Sequence, residues 1–105
     1  MANTFKVYRA ALGASASTVY TVPASTTAIV LMAQAANVNT IVVPVTATWN
    51  DGTNTTHLVK SLDIPTKAAV NLLSGKLVLE AGDTLNANSD AANKVELTVS
   101  VLEIT

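Results

Sequence analysis

Cysteine is absent from the 105 residues, so disulfides, thiolate nucleophiles and Cys-ligated metals are excluded, and the redox compartment leaves no mark on the sequence. Charge is scarce. Asp, Glu, Lys and Arg make up 12% of the chain, against a usual share of about 25%. The six basic residues are scattered from Lys6 to Lys94 and the net charge is −1, which argues against a nucleic-acid partner, since no basic stripe exists to follow a phosphate backbone. The aromatic residues are Phe5, Tyr8, Tyr20 and Trp49, fewer than a stacking platform for sugars or single-stranded nucleic acid needs. No apolar run approaches the ~18 residues of a membrane helix, and no charged-then-apolar leader opens the chain, so neither a membrane span nor a signal peptide is expected.

Apolar residues are plentiful instead, at 50% of the chain, and the polar remainder is mostly Thr, Ser and Asn. A chain of this length buries somewhat over ~60% of its unfolded surface, enough for a real core in one domain spanning residues 1–105. A freely dispersed protein usually carries more charge. The shortage predicts that much of the surface is covered, by copies of the chain or by a partner.

The most informative stretch is residues 72–85, LLSGKLVLEAGDTL. Ser74-Gly75 and Ala81-Gly82-Asp83 read as tight turns that cut it into pieces too short for helices. Between them residues 76–80 alternate, with Leu77 and Leu79 on one side and Lys76, Val78 and Glu80 on the other, as in a short strand. Residues 70–73 and 84–87 flank it as further short strands.

The remaining segments read the same way. Residues 4–9 (TFKVYR) set Phe5, Val7 and Arg9 against Lys6 and Tyr8; they are a first strand, or residues 1–9 are an N-terminal arm lying on a neighbour. Residues 10–17 read as a connection. Residues 18–22 (TVYTV) are a β-branched strand stopped by Pro23. Residues 26–36 (TTAIVLMAQAA) are largely apolar on both faces, as in a strand covered on both sides, with Ile29, Leu31 and Ala33 on one face and Ala28, Val30, Met32 and Gln34 on the other. A buried helix over 28–36 competes with this reading. Residues 40–49 form a long strand with Ile41, Val43, Val45, Ala47 and Trp49 on one face. Pro44 places it at a sheet edge or a bulge. Asn50-Asp51-Gly52-Thr53-Asn54 supplies hairpin chemistry, and residues 55–62 return as the partner strand. Residues 63–66 turn again, and 86–93 form a polar loop. In residues 94–105 Val95, Leu97, Val99 and Val101 face inward. Alternation then slips at Leu102 and Ile104, which predicts a bulge near Val101-Leu102. About eight short strands, with turns every 8–12 residues, indicate an all-β antiparallel sandwich or barrel.

Candidate chemistry is thin. His57 has neither a cysteine nor a second histidine with which to hold a transition metal. It is also the sole neutral-pH base for the many Ser and Thr hydroxyls, and no GxSxG or phosphate-cradling glycine loop occurs. Asp51, Asp63, Glu80, Asp83, Asp90, Glu96 and Glu103 show no spacing that predicts a paired-carboxylate cleft. Asp51-Gly52-Thr53-Asn54 offers oxygens but lacks the full calcium-loop pattern. No catalytic residue, metal or cofactor is expected. Trp49 shares parity with Val43 and Val45, which favours a core or subunit-interface role over an exposed sugar anchor.

Residues 18–31 (TVYTVPASTTAIVL), Ile64-Pro65, residues 75–83 (GKLVLEAGD) and residues 99–104 (VSVLEI) resemble corresponding segments of small tailed-bacteriophage virion structural proteins. The resembling proteins usually carry glycine where this chain has Ser25, and often another at the turn here written Thr66-Lys67. The resemblance implies a jelly-roll sandwich that assembles, often as a homotrimer, on the capsid or on neck and tail parts, with no catalytic residues to carry over. It implies a location in the virion, assembled in the host cytoplasm. A head decoration (cement) protein tying major-capsid-protein subunits together is the first expectation. A neck, tail or fibre-base component is the second, and a carbohydrate-binding receptor module the third. Phe5, Val7 and Tyr8 near one end, Leu102 and Ile104 near the other, and Trp49 are the candidate interface residues.

Overall fold

Alternating side chains become paired strands throughout the computed structural model, which describes residues 2–90 and 94–105. Nine strands occur among the described residues: β1 (Asn3–Ala11), β2 (Ser17–Thr21), β3 (Thr27–Asn37), β4 (Val43–Asn50), β5 (Thr55–Ile64), β6 (Ala69–Asn71), β7 (Leu77–Leu79), β8 (Thr84–Asn88) and β9 (Val95–Ile104). One sheet runs β1-β9-β3-β6, with β7 also on β3; the other runs β2-β8-β4-β5. All pairings are antiparallel. β6 and β7 are two pieces of one strand position, since β6 pairs with Gln34–Ala36 and β7 with Ala28–Val30 of the same β3. The nine segments thus fill eight positions in two four-position layers, and successive positions cross between layers as in a jelly roll, except for the β4–β5 hairpin, which stays within one sheet.

The core lies between the sheets. From one side it takes Val95, Leu97, Val99 and Val101 of β9 with Ala28, Val30, Ala33 and Ala35 of β3; from the other, Val43, Val45 and Ala47 of β4 with Leu85 and Ala87 of β8. Burying each of the larger aliphatic side chains contributes about 1.5–3 kcal/mol.

Five expectations need correction. The slip in alternation lies on β3. Against β9, Val30 faces Val101 and Met32 faces Ser100, so Leu31 is the extra residue of a bulge. β9 alternates without interruption to its end: Val101 and Glu103 point into the sandwich, Leu102 and Ile104 away from it. Glu103 misled the sequence reading because a buried acid looks like a surface residue until its partners are known. Second, β4 begins at Val43. Residues 38–42 form a loop that leaves Val38, Ile41 and Val42 more than half exposed. Third, Pro44 sits in an interior strand and not at a sheet edge, although a register shift against β5 follows it between Val45 and Ala47. It avoids a lost ladder bond because β8 pairs with β4 only from Thr46 onward. Fourth, Ala10 and Ala11 belong to β1 and Leu12 is fully buried, so the connection after β1 is shorter than 10–17. Part of the 86–93 loop is also strand, since β8 runs to Asn88; residues 91–93 lie outside the described residues. Of the two readings of residues 4–9, the structure contains the strand: β1 pairs with β9 from Asn3 to Ala11.

The turns explain the two missing glycines. Ser25 and Lys67 both stand at φ 57°, the left-handed region that glycine enters freely and L-residues enter at a cost of roughly 1–2 kcal/mol. Glycine returns part of that through its looser unfolded state. Ser25→Gly and Lys67→Gly are each expected to stabilise the fold by about 0.5 kcal/mol, read as a higher urea midpoint at unchanged slope.

Candidate functional site

The residues proposed for interfaces separate into two groups once the strands are placed. Tyr8 and Trp49 face inward. Tyr8 packs on Tyr20 of β2 with ring centroids 5.0 Å apart, and Trp49 packs half-buried against the core from β4. The ring that a sugar-binding surface would present is thereby turned toward the sandwich interior. Phe5, Val7, Leu102 and Ile104 all lie on the outer face of the β1-β9-β3-β6 sheet.

That face carries a continuous apolar row. Register places Phe5 opposite Leu102, Leu102 opposite Ile29, and Ile29 opposite Val78, so four strands contribute one large side chain each. The Phe5–Leu102 pair is a wide, non-hydrogen-bonded one, because Ala2 and Thr105 exchange the narrow-pair bonds at 3.1 and 2.9 Å and pairs alternate from there. Side chains in such pairs approach most closely. Phe5 is 73%, Val7 67% and Val78 61% exposed. Beside the row, a shallow recess is lined by Phe5, Val7, the bulged Leu31 and Ser100 among others. Parity places Ile29, Leu31 and Ala33 on one face; Ile29 and Leu31 do share the outer face, and the bulge turns Ala33 into the core.

Behind the row, on the inner side of the same two strands, sits a polar knot. The carboxylate of Glu103 accepts a hydrogen bond from the Tyr20 hydroxyl at 2.6 Å and an ion-paired one from the Lys6 ammonium at 2.9 Å. The Tyr20 hydroxyl and, after it, the Lys6 ammonium hold the Glu103 carboxyl below the usual carboxylate range, against the opposing effect of burial. Burial, and then the bond to Glu103, push the Tyr20 phenol upward. The Lys6 ammonium's own hydrogen bond to Glu103 pushes it upward. The knot joins β1, β9 and β2, and so ties the two sheets together at this edge.

Asp51, Asp83 and Asp90 act as structural ties. Asp51 Oδ1 accepts the N–H groups of Thr53 and Asn54 at 2.9 and 2.7 Å, which holds its carboxyl below the usual range and closes the β4–β5 hairpin loop. Asp83 Oδ2 accepts the Glu80 N–H at 2.9 Å. Asp90 pairs loosely with Lys94 at 3.7 Å. His57 is exposed on β5, opposite Thr48. Among the described residues no three His, Asp or Glu side chains come together as a metal site. What the outer face of the β1-β9-β3-β6 sheet offers is exposed apolar contact area.

No protein-family model matches the chain, and no curated protein matches it. Two solved structures share its fold. One is a Bacillus endospore appendage, from a family described as disulfide-linked pili, at 16% identity and TM-score 0.56, over 96% of this chain and 85% of that one. The other is a pentameric capsid protein from metagenomic phage sequences, at 18% identity and TM-score 0.50, over 90% of this chain and 59% of that one. The chain thus spans less than two thirds of the capsid protein it matches. At these identities the likeness is one of fold.

Proposed function

We propose that this chain is a non-enzymatic structural protein of a phage virion, and specifically a head decoration protein that binds over junctions between major-capsid-protein subunits as a homo-oligomer. The observation that carries the reading is the apolar row Phe5–Leu102–Ile29–Val78 on an otherwise solvated sheet face. A sparsely charged protein with such a face gains stability by covering it. The likeness in fold to a phage capsid protein, and the segments resembling tailed-phage virion proteins, support placing that cover on a particle. A neck, tail or fibre-base role would use the same surface, and the likeness to a spore-pilus subunit supports it as the second reading. Lacking cysteine, such a fibre would be held without disulfides.

An averaged image of the intact particle locates the protein and separates head from tail. The surface is tested with the double variant Phe5→Ser, Val78→Ser. Both side chains are exposed, so the melting temperature should stay within about 2 °C of wild type. Binding to capsids stripped of the protein should weaken at least tenfold, since losing one well-buried apolar contact costs about 1.5–3 kcal/mol. Unchanged capsid binding would remove the outer face from the proposal.

A further inference from the structure

Four strand edges border the two sheets, and three are blunted. β2 has five residues, a register shift between Thr18 and Tyr20, and Pro23 shortly after it. β5 is broken by shifts opposite Val45–Thr48, with Ser61 at φ 52°. β6 and β7 have three residues each. Bulges, short strands and charges are the usual devices that stop sheets from pairing edge to edge. β1 has neither a bulge nor a break, and its charges are Lys6 and Arg9. It runs nine residues in unbroken register with β9 and contains no proline. Its charge nearest the centre, Lys6, is drawn onto Glu103 of its own sheet at 2.9 Å.

The free edge has a definite chemistry. The bonds Ala2–Thr105 and Leu12 N–H to Val95 C=O show that even-numbered residues of β1 direct their main-chain groups toward β9. Asn3, Phe5, Val7, Arg9 and Ala11 therefore direct theirs outward. The residues that offer unpaired N–H and C=O groups thus include the most exposed apolar side chains of the face, Phe5 and Val7.

We propose that β1 pairs, antiparallel, with β1 of a second copy about a two-fold axis at Val7, joining the β1-β9-β3-β6 sheets of two subunits into one. The inference rests on the proposed self-association and gives it one specific contact. A second copy is the occupant because the strand is complementary to itself. Outward-directed groups are all odd-numbered, so odd residues must meet odd residues. Centring on Val7 uses all nine residues and places Phe5 opposite Arg9, where the guanidinium can lie on the ring, and Lys6 opposite Tyr8. Centring on Lys6 would oppose like charges, and centring on Tyr8 would shorten the overlap. On the order of ten main-chain hydrogen bonds would form in the Val7 register. The apolar row of each copy would then continue into its partner's.

Val7→Pro tests this cleanly. It deletes an outward N–H and no bond to β9, so the subunit keeps its fold and its melting temperature. Wild-type protein should sediment as an even-numbered assembly, and Val7→Pro should halve its mass. Since the chain has no cysteine, Val7→Cys should form an intermolecular disulfide on mild oxidation, its Cα atoms meeting within bridging range, while Val78→Cys should not. An assembly unmoved by Val7→Pro, an odd-numbered wild-type assembly, or equal cross-linking at both positions overturns the edge pairing and leaves self-association standing. A wild-type monomer at all concentrations overturns both.

Discussion

Replacing Asn37 with alanine should cost the fold about 3 kcal/mol, a drop on the order of 12 °C in melting temperature for a domain of this size. Asn37 ends β3 facing inward and is 2% exposed. Its amide donates to the carbonyls of Ile41 at 2.8 Å and Ile64 at 3.0 Å, and its Oδ1 accepts the Asn39 N–H at 2.9 Å. One side chain therefore closes the loop after β3 and fastens the end of β5, in the opposite sheet, to it. Alanine would leave these groups without a partner in a place where water reaches poorly, and each stranded group costs about 1–3 kcal/mol. Asn37→Asp should be no better than alanine. A carboxylate has no hydrogen to give, so it would face two carbonyl oxygens with like partial charge. Urea unfolding of the three proteins decides this. An aspartate variant as stable as wild type would show that the amide donors contribute nothing.

The second large effect is expected at Glu103. Glu103→Ala should destabilise by about 2 kcal/mol, nearly all of it from the stranded Tyr20 hydroxyl. The contact with Lys6 is open to solvent and adds little. Acid makes the same point without mutation. Because the folded carboxyl lies below its ordinary range, its contribution is complete above the ordinary carboxylate pKa and disappears as pH falls through the folded value. Tyr20 and Lys6 are shifted upward, so their contributions are intact below their ordinary values and decline as pH rises beyond them. Wild type should lose stability in acid more steeply than Glu103→Gln. Parallel acid limbs for the two would mean that the knot adds nothing.

Strand positions were legible wherever a single residue type decided them. Asp-Gly marked the hairpin after β4, Gly75 and Gly82 marked the turns around β7, and alternation marked β9. Faces were legible only as far as alternation stayed unbroken. The bulge at Leu31 involves no glycine, so nothing local announced it, and it reversed the facing of everything after it on β3. Glu103 and Asn37 escaped for a related reason. Polar residues point inward when partners distant in sequence meet them, and Tyr20 is 83 positions from Glu103. The outer apolar row was half legible. Phe5, Val7, Leu102 and Ile104 were singled out by their place near the chain's ends, but Ile29, Leu31 and Val78 join them only through sheet order.

The position of β9 between β1 and β3 bears on how the chain acquires its shape. Until the final strand emerges from the ribosome, the first and third have nothing to hold between them, and half of the molecule waits. Such distant partnering makes for leisurely folding, on the order of milliseconds to seconds. The chain would pass that interval with its outer apolar strands uncovered.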